Sequence, residues 1–594
     1  MKNIKYMMRN FSTDDLNIIN DIKNEFSLSY FNSRLLFSRG LKDKEIISKF
    51  LNSGINDLND TSTMKDSNKF INHVINCILE NRKIILATDY DCDGTCGGAV
   101  AYKCLKYAGA NVDYFSNNRF EEGYGLSIAS VNKILAIHPD VDTIITIDNG
   151  ITSFDAIDFC NNKSITVLIT DHHEPFDKLP SAKAIVNPKR KDCAYKFKGL
   201  CGAGVIFKLM LLLFKTLKIN SDYVYDLIDI VALATVGDVV PLIDENRIIV
   251  KEGLKKINSS NASKAFYHLK MQFKKESGVT ESFLSFTVVP LINACSRITG
   301  DCYESIEFLI QENDYFVRKH LNKLIELNDG RKKLTLTQCE KAKKVIYENE
   351  NLFNSNAIVV YDSSFHEGII GLIAAKLSEE FHKPSIVFAP HKQTNVLKGS
   401  GRSIGNIHLK DSLSKASDLL IGFGGHSGAA GMSIEESKVD QFRERLNNVI
   451  NVSAITSSDV YYIDEVYDSI SVETVNDILK LAPFGESFEK PRIGLRNFMC
   501  YKMDLLKEST IKIQSDKINI LSFGVDRSFY NKISDCLTIK AVGTPEINNY
   551  KGKESINFIT EFNSIVKSST KPKKILYKKA GKPIISMMGW ELPR

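Results

Sequence analysis

The chain has 594 residues, a length that predicts roughly three or four domains. With 43% hydrophobic and 25% charged residues the composition is ordinary for a soluble globular protein, and a net charge of +6 permits nucleic-acid binding without requiring it. The twelve scattered cysteines include no CxxC pair, which disfavours a zinc site and predicts reduced thiols. The most apolar stretch, residues 205–217, is too short to cross a bilayer, and the first residues lack the apolar segment of a secretory signal. We therefore expect a cytoplasmic protein.

Residues 1–80 are predicted to form a polar helical extension. Its apolar residues recur at the spacing of an amphipathic helix, and they include Leu35, Leu36, Leu41, Phe50 and Leu51. We find no chemistry in this segment and expect it to serve packing.

Residues 81–312 are predicted to form an α/β domain. Short runs rich in Ile and Val alternate there with helical segments, which is typical of a mostly parallel sheet covered by helices. Functional side chains of such sheets collect beyond the carboxyl ends of the strands. The predicted strands are Lys83–Thr88, Val112–Phe115, Thr143–Ile147, Thr166–Thr170 and Lys183–Val186.

Acidic residues end three of these strands. The first strand runs into Asp89, Asp91 and Asp93, the third ends at Asp148, and the fourth ends at Asp171-His172-His173. Carboxylates this close repel one another unless a cation lies among them, and hard oxygen ligands suit Mg²⁺ or Mn²⁺. The first stretch alone reads equally well as a solvated acidic turn. Three such strand ends together indicate a site.

The motif Asp171-His172-His173, with residues 89–94, 146–151 and 236–242, resembles the DHH phosphoesterase family. All four acidic motifs of that family occur in order. The resemblance implies phosphodiester hydrolysis with two Mn²⁺ or Mg²⁺ ions, about 3.5–4 Å apart in such sites. The residues suited to hold the ions are Asp91, Asp93, Asp148, His172 and Asp238.

The resemblance also assigns roles within this set. We expect Asp148 to bridge the two ions and His173, a further catalytic residue, to steady the site or contact the scissile phosphate. Asp171 is assigned a supporting role, because metal-bound histidines usually have a carboxylate or carbonyl partner. Asp89 is left outside the ligand set.

Three segments resemble the single-strand-specific exonuclease branch of the family, namely residues 117–126, 202–205 and 293–294. Arg297 stands where that branch has an arginine after a glycine, although Ser296 replaces the glycine here. Pyrophosphatases of the same superfamily have a histidine at the position of Ala87, so this chain departs from their pattern. The resemblance implies substrate contacts from Arg119, Asn293 and Arg297.

Residues 313–352 are predicted to form a long connector helix with one apolar face. A smaller α/β domain follows over residues 353–455, where two glycine-rich segments each carry a basic residue. Glycines let backbone N–H groups approach an anion closely. These segments resemble the DHHA1 domain, which implies substrate contacts from Ser400, Arg402, Gly425 and His426.

Residues 456–566 read as short strands and resemble, at residues 483–485, the entry to an OB-fold β-barrel. That likeness implies a domain for binding single strands, whereas the strands alone favour a β domain without a ligand. The tail, residues 567–594, carries lysines that are either simply solvated or attract phosphate without specificity. They are Lys567, Lys571, Lys573, Lys574, Lys578, Lys579 and Lys582.

The predicted fold is thus α/β, with a DHH domain, a connector helix, a DHHA1 domain and a C-terminal OB-fold barrel. The predicted function is a single-stranded-DNA-specific 5′–3′ exonuclease of repair and recombination that releases 5′-mononucleotides, its polarity implied by the resemblance alone. Two alternatives are a phosphodiesterase for oligonucleotides or cyclic dinucleotides and a non-enzymatic replication scaffold. We expect a monomer that binds single-stranded DNA and no membrane. A helicase and a single-strand-binding protein are left open as partners.

Overall fold

A computed structural model divides the chain into two compact units. The first comprises Gly54–Phe273 and Val279–Ser458, and the second comprises Ile4–Ser53, Lys274–Gly278 and Asp459–Arg594. The tail lysines Lys571, Lys573, Lys579 and Lys582 lie outside the described residues. The structure describes residues 5–275, 278–391, 395–450, 460–506, 509–515, 518–525, 527–534, 536, 538–550, 553–561, 564–567, 574–578 and 584–588.

The N-terminal part of the second unit contains one strand and three helices, namely β1 (Lys5–Met8), α1 (Thr13–Glu25), α2 (Tyr30–Ser38) and α3 (Lys44–Asn52). Ser12 starts α1 with a capping box, in which its hydroxyl and the Asp15 carboxylate each accept a backbone N–H. The apolar faces of the helices pack with C-terminal residues in one core, where the Phe50 and Phe488 rings lie 4.6 Å apart. The predicted extension, residues 1–80, is therefore divided, because Phe70 and Val74 belong to a core of the first unit.

A five-stranded sheet forms the centre of the first unit. Its strands are β2 (Lys83–Thr88), β3 (Val112–Ser116), β4 (Val141–Ile147), β5 (Thr166–Thr170) and β6 (Ala184–Val186). They lie in the order β3-β2-β4-β5-β6, and every pair is parallel, which confirms the predicted parallel sheet. The middle strands are buried on both faces, which explains their continuous apolar runs.

Helices cover both faces of this sheet and extend beyond it. No helix in the described part of the chain is both long enough and apolar enough to cross a membrane. A π-helical turn, Leu284–Val288, leads directly into α14. The helices are α4 (Ser67–Leu79), α5 (Cys92–Tyr107), α6 (Ile128–Ile137), α7 (Phe154–Asn162), α8 (Gly202–Leu217), α9 (Asp222–Tyr225), α10 (Ile228–Gly237), α11 (Asp244–Ile257), α12 (Lys264–Gln272), α13 (Glu281–Phe283), α14 (Val289–Ile298) and α15 (Tyr303–Ile310).

The predicted connector is one 35-residue helix, α16 (Asp314–Glu348), followed by the short α17 (Glu350–Asn354). It leads to a second sheet with the order β10-β11-β9-β8-β7, in which β7 and β8 are parallel and the other pairs antiparallel. The elements are β7 (Ile358–Tyr361), α18 (Ile370–Phe381), β8 (Ser385–Pro390), β9 (Val396–Arg402), α19 (Leu409–Ser414), β10 (Leu420–Gly425), β11 (Ala429–Glu435) and α20 (Val439–Val449).

The C-terminal part of the second unit is a β domain built on an eight-stranded sheet, with the path β13-β14-β18-β19-β17-β16-β15 and β20 beside β18. β12 pairs instead with β1, in parallel, and β21 pairs with β22. The elements are β12 (Val460–Ile463), β13 (Glu465–Tyr467), α21 (Val472–Leu479), β14 (Ile493–Met499), β15 (Lys502–Leu506), β16 (Thr510–Gln514), β17 (Ile518–Phe523), α22 (Arg527–Ile533), β18 (Thr538–Tyr550), β19 (Lys553–Thr560), β20 (Val566–Lys567), β21 (Lys574–Lys578) and β22 (Ile584–Met588).

We expect Phe50→Ala to destabilise the second unit by about 3–5 kcal/mol, because the change removes a buried ring from the shared core. Native-state hydrogen exchange measures the protection of backbone amides in each unit separately. Protection should fall over residues 5–53 and over the β domain, and it should persist in the first unit. Ile46→Ala, on the exposed side of the same helix, should change the free energy of unfolding by less than about 0.5 kcal/mol. Equal loss of protection in both units would contradict the division.

Candidate metal centre

Three aspartates continue the central sheet by one residue beyond its strands. The backbone N–H groups of Asp89, Asp148 and Asp171 donate to carbonyls of neighbouring strands at 3.1, 3.0 and 3.1 Å. Their side chains therefore start from the same carboxyl edge of β2, β4 and β5. Asp238 reaches this edge from the end of α10.

His172 lies at the centre of the site. Its Nε2 atom is 3.1 Å from Asp148 Oδ1, 3.5 Å from Asp238 Oδ2 and 3.7 Å from Asp93 Oδ2. Asp91 joins the group through Asp148, since their ligand atoms lie within 4.8 Å of each other. The structure thus brings together the residues predicted as ligands, and we call them the metal centre: Asp91, Asp93, Asp148, His172 and Asp238.

Two helix starts hold the first pair of carboxylates. Asp91 is the N-cap of α5 and accepts the backbone N–H groups of Asp93 and Gly94 at 2.9 and 3.1 Å. Asp93 accepts the first N–H groups of α8, from Gly202 and Ala203, at 2.5 and 2.8 Å. The positive end of the α8 dipole therefore stabilises the ionised form of Asp93.

Gly202 separates Asp93 from Asp148. A Cβ atom at position 202 would lie 2.6 Å from Asp148 Cβ and 2.7 Å from Asp148 Oδ1, closer than atoms can approach. Any side chain at this position would therefore push one carboxylate out of the centre.

A tight turn aims Asp148 into the centre. Its φ of 63° lies in the left-handed region, which aspartate tolerates better than most residues. The Asn149 side-chain amide braces the turn by donating to the carbonyls of Ala87 and Ile147, at 3.1 and 2.9 Å. Gly150 follows with a φ of 106°, and a Cβ there would meet Thr146 Oγ1 at 2.5 Å.

Several buried ligand atoms in this centre have no hydrogen-bond partner: Asp148 Oδ1, His172 Nδ1 and Nε2, and Asp238 Oδ2. Burial raises the pKa of Asp148 well above its ordinary value, and the charges of Asp93 and Asp91 raise it further. Burial and the same two carboxylates raise the pKa of Asp238 to about 8. Burial lowers the pKa of His172. Acids that repel one another in a buried cluster need a compensating cation, and this donor set fits a divalent ion.

Asp171 supports His173. Its Oδ1 atom lies 2.8 Å from His173 Nδ1 and also accepts the backbone N–H groups of both histidines. Burial lowers the pKa of His173, but the hydrogen bond and charge of Asp171 outweigh burial and raise that pKa to about 9. The Tyr124 hydroxyl is 3.3 Å from His173 Nδ1. Asp171 was expected to support a metal-bound histidine. In the structure its side chain orients His173 instead of the central His172.

Asp89, which the sequence analysis set aside, lies within 4.8 Å of ligand atoms of Asp91 and Asp148. Its Oδ1 atom is buried without a partner, and burial together with the charge of Asp91 raises its pKa well above the ordinary value. No residue pattern in the sequence separates Asp89 from Asp91 and Asp93. Its closeness to the ligand atoms depends on how the turn folds.

Arg297 lies within electrostatic reach of three other arginines and of the ligand Asp91. Burial lowers the pKa of Arg297 to about 10, and the charges of Arg119, Arg331 and Arg402 lower it further, whereas Asp91 acts in the opposite direction. Within the described residues none of the four forms an ion pair with a carboxylate. Guanidinium groups that lack acidic partners carry the charge to attract an anion.

Sequence reasoning missed Arg331, which belongs to the connector helix α16. Its Nε and Nη2 atoms donate to Asn328 Oδ1 at 3.1 and 2.9 Å, which fixes the guanidinium. Arg331 is one of two arginines among many lysines on this polar helix, so no local signal marks it. Only the packing of α16 assigns it to the site.

The other predicted substrate residues are less closely joined to the centre. Arg402 donates to Ser400 Oγ at 3.3 Å, so these two lie side by side. The Oδ1 atom of Asn293 is buried without a partner. Gly425 and His426 are exposed, and in the part of the chain that the structure describes His426 bonds only within its own turn. The structure does not bring His426 to the metal centre.

Three regions of the chain match known families. Residues 83–235 match the N-terminal domain of the DHH family, residues 354–452 match the DHHA1 domain, and residues 466–561 match the RecJ OB domain. The three matches follow one another in the order expected from the sequence.

Curated relatives cover most of the chain. The single-stranded-DNA-specific exonuclease RecJ of Dickeya dadantii is 30% identical over 511 residues, which are 82% of this chain and 88% of the relative. RecJ of Escherichia coli is 30% identical over 562 residues, which are 89% and 94% of the two chains.

Solved structures agree on the fold. RecJ from Thermus thermophilus in complex with Mn²⁺ superposes with a TM-score of 0.76 at 21% identity, covering 96% of this chain and 80% of that one. A structure of exonuclease RecJ bound to manganese is 28% identical, with a TM-score of 0.56, and covers 65% of this chain and 94% of that one. The chain therefore belongs to the RecJ family, within the wider DHH family.

Proposed function

We propose that this protein is a metal-dependent exonuclease that degrades single-stranded DNA from its 5′ end and releases 5′-mononucleotides. The observation that carries the proposal is the metal centre, where buried carboxylate and imidazole atoms without partners converge at one edge of a parallel sheet. The curated relatives named above are described as single-stranded-DNA-specific exonucleases.

The metal centre suits Mn²⁺ or Mg²⁺ through Asp91, Asp93, Asp148, His172 and Asp238, with Asp89 close enough to contribute. Two bound divalent cations supply a nucleophile at neutral pH and neutralise charge that develops on the scissile phosphate. The first N–H groups of α8 hold the Asp93 carboxylate in place, and the left-handed turn holds Asp148. These side chains are therefore positioned before substrate arrives.

We assign His173 to the scissile phosphate. Asp171 occupies its Nδ1 atom, so Nε2 is the nitrogen left to donate a proton to a phosphate oxygen. The ring is half-exposed beside the metal centre, which leaves it accessible to substrate. Tyr124 approaches the same ring and limits its rotation.

We assign the four arginines to the terminal 5′ phosphate. Guanidinium groups bind phosphate through paired N–H donors, and burial strengthens such contacts. Arg297 has Arg119, Arg331 and Arg402 within electrostatic reach, so a phosphate among them would meet charge from several sides. Ser400, Asn293, Gly425 and His426 complete the proposed substrate set. His426 and Gly425 would contact a longer strand, because they lie in an exposed turn.

The β domain is assigned to single-strand binding. Tyr501 and Phe523 are 61% and 54% exposed on it, and exposed rings on OB-folds stack on bases. We further propose that the protein is a cytoplasmic monomer acting in DNA repair and recombination. A helicase and a single-strand-binding protein are the partners that would supply single strands.

Digestion of three labelled substrates tests the proposal: a 5′-labelled single strand, the matching duplex and a dinucleotide, each with Mn²⁺ or EDTA. We expect Mn²⁺-dependent release of mononucleotides from the single strand. Asp148→Asn should lower turnover by at least about a thousandfold while leaving strand binding intact, because asparagine keeps the left-handed turn but lacks the charge. Cleavage confined to the dinucleotide would instead support an oligonucleotide phosphodiesterase, and metal-independent or absent cleavage would reject the assignment.

Gly202→Ala should weaken Mn²⁺ binding by about 10- to 100-fold, the effect expected when a residue supporting metal ligands is changed. The added methyl group would displace the Asp148 carboxylate. Calorimetric titration with Mn²⁺ measures the change. Gly54→Ala is the matched control, since nothing lies within 4 Å of its Cβ position. Unchanged Mn²⁺ affinity in Gly202→Ala would place the ions elsewhere.

Arg331→Ala should raise KM for a 5′-phosphorylated strand by about 10- to 100-fold, the usual worth of a charge-assisted hydrogen bond. A strand ending in a 5′ hydroxyl should be much less affected. Arg331→Lys should recover only part of the loss, because lysine lacks the planar fork. Lys332→Ala removes the neighbouring exposed charge and should leave KM unchanged. An equal effect on both strands would show that Arg331 does not read the terminal phosphate.

A further inference from the structure

One face of the helical segment 281–298 is less buried than the opposite side. Leu284, Val288, Leu291 and Ile292 pack into the core. Four of the side chains left exposed or half-buried recur at intervals of four, three and four residues, which is the spacing of one helix face. We call them the open face, and they are Phe286, Pro290, Asn293 and Arg297.

The C-terminal end of the open face lies at the proposed phosphate site. Arg297 donates to the Gly368 carbonyl at 3.4 Å and is within electrostatic reach of Asp91. Asn293, one turn earlier, has a buried Oδ1 atom without a partner. Both residues already belong to the proposed substrate set.

The middle of the segment packs beside the metal centre. The Cβ position of Gly237 lies 3.1 Å from Val289 Cγ2, and Gly237 immediately precedes the ligand Asp238. Phe286 is one turn before Val289, in the π-helical turn Leu284–Val288. Such turns are rare and recur at functional sites.

Phe286 is 81% exposed, more than any other large hydrophobic side chain among the described residues. Within the described residues its ring makes no contact with another aromatic ring. The open face therefore pairs a guanidinium with an uncovered ring. The helical rise separates them by about 16 Å along the helix axis.

We propose that Phe286 is a stacking platform for a nucleobase of the bound strand. The inference rests on the proposed function, because the occupant is the single-stranded substrate itself. The arginines hold the terminal phosphate, and a strand running along the open face places a base further along against the ring. Stacking is indifferent to base identity because every base has a π-face, which suits an enzyme that must accept any sequence.

Equilibrium binding of strands that carry one 2-aminopurine tests the proposal, with EDTA present so that the full-length chain cannot cut them. The fluorescent base is moved position by position from a phosphorylated 5′ end. At one position we expect quenching by the wild-type chain and by Phe286→Trp, and recovery of fluorescence with Phe286→Ala. The dissociation constant of Phe286→Ala should rise about 5- to 150-fold, the range for loss of one stacked base.

An abasic residue at the same position isolates the contact. It should weaken binding to the wild-type chain by a similar factor and leave binding to Phe286→Ala unchanged, since the partner ring is already gone. Tyr315→Ala, a 64% exposed ring on α16, should bind every strand like the wild type. Equal quenching and affinity for wild type and Phe286→Ala would overturn the inference and leave the ring to a protein partner. A chain that binds through Phe286 but digests nothing would overturn the proposed function and preserve this inference.

Discussion

Mutual repulsion among buried carboxylates is the constraint on which this structure depends. Asp89, Asp93 and Asp148 are each nearly inaccessible to solvent, and burial raises the pKa of all three. An arrangement of this kind lowers the stability of the empty fold and is tolerated where a cation is to be bound. The central sheet, the start of α8 and the left-handed turn at Asp148 all serve to hold those charges together.

Much of the central architecture could be predicted because parallel strands leave a strong local signal. The runs at residues 83–88 and 166–170 were assigned to their exact limits, since both faces of these strands are buried. Strand geometry also predicted that Asp148 and His172 lie near Asp91, because the carboxyl ends of parallel strands share one edge. Asp238, at the end of a helix, entered the predicted set through the family resemblance.

The remaining features depend on contacts that no local pattern encodes. Arg331 joins the site only because a long helix passes beside it, and Asp171 selects His173 through the geometry of its turn. The helices of residues 13–52 show ordinary amphipathic spacing. This spacing predicts that each helix has a packed face, but it does not identify the packing partner. Their partner, the core around Phe488, is more than four hundred residues away in the chain.

The pairing of β1 with β12 bears on how the protein is made. Lys5 lies opposite Val460, so the two segments of the first unit, Gly54–Phe273 and Val279–Ser458, lie in the chain between β1 and β12. On the ribosome α1, α2 and α3 emerge before the β domain and have no core to complete until it follows, whereas the first unit can fold in the interval. The apolar faces of these helices are therefore uncovered while the first unit is being made. Residues 5–53 are thus made before the first unit but complete their core only after the β domain has been made.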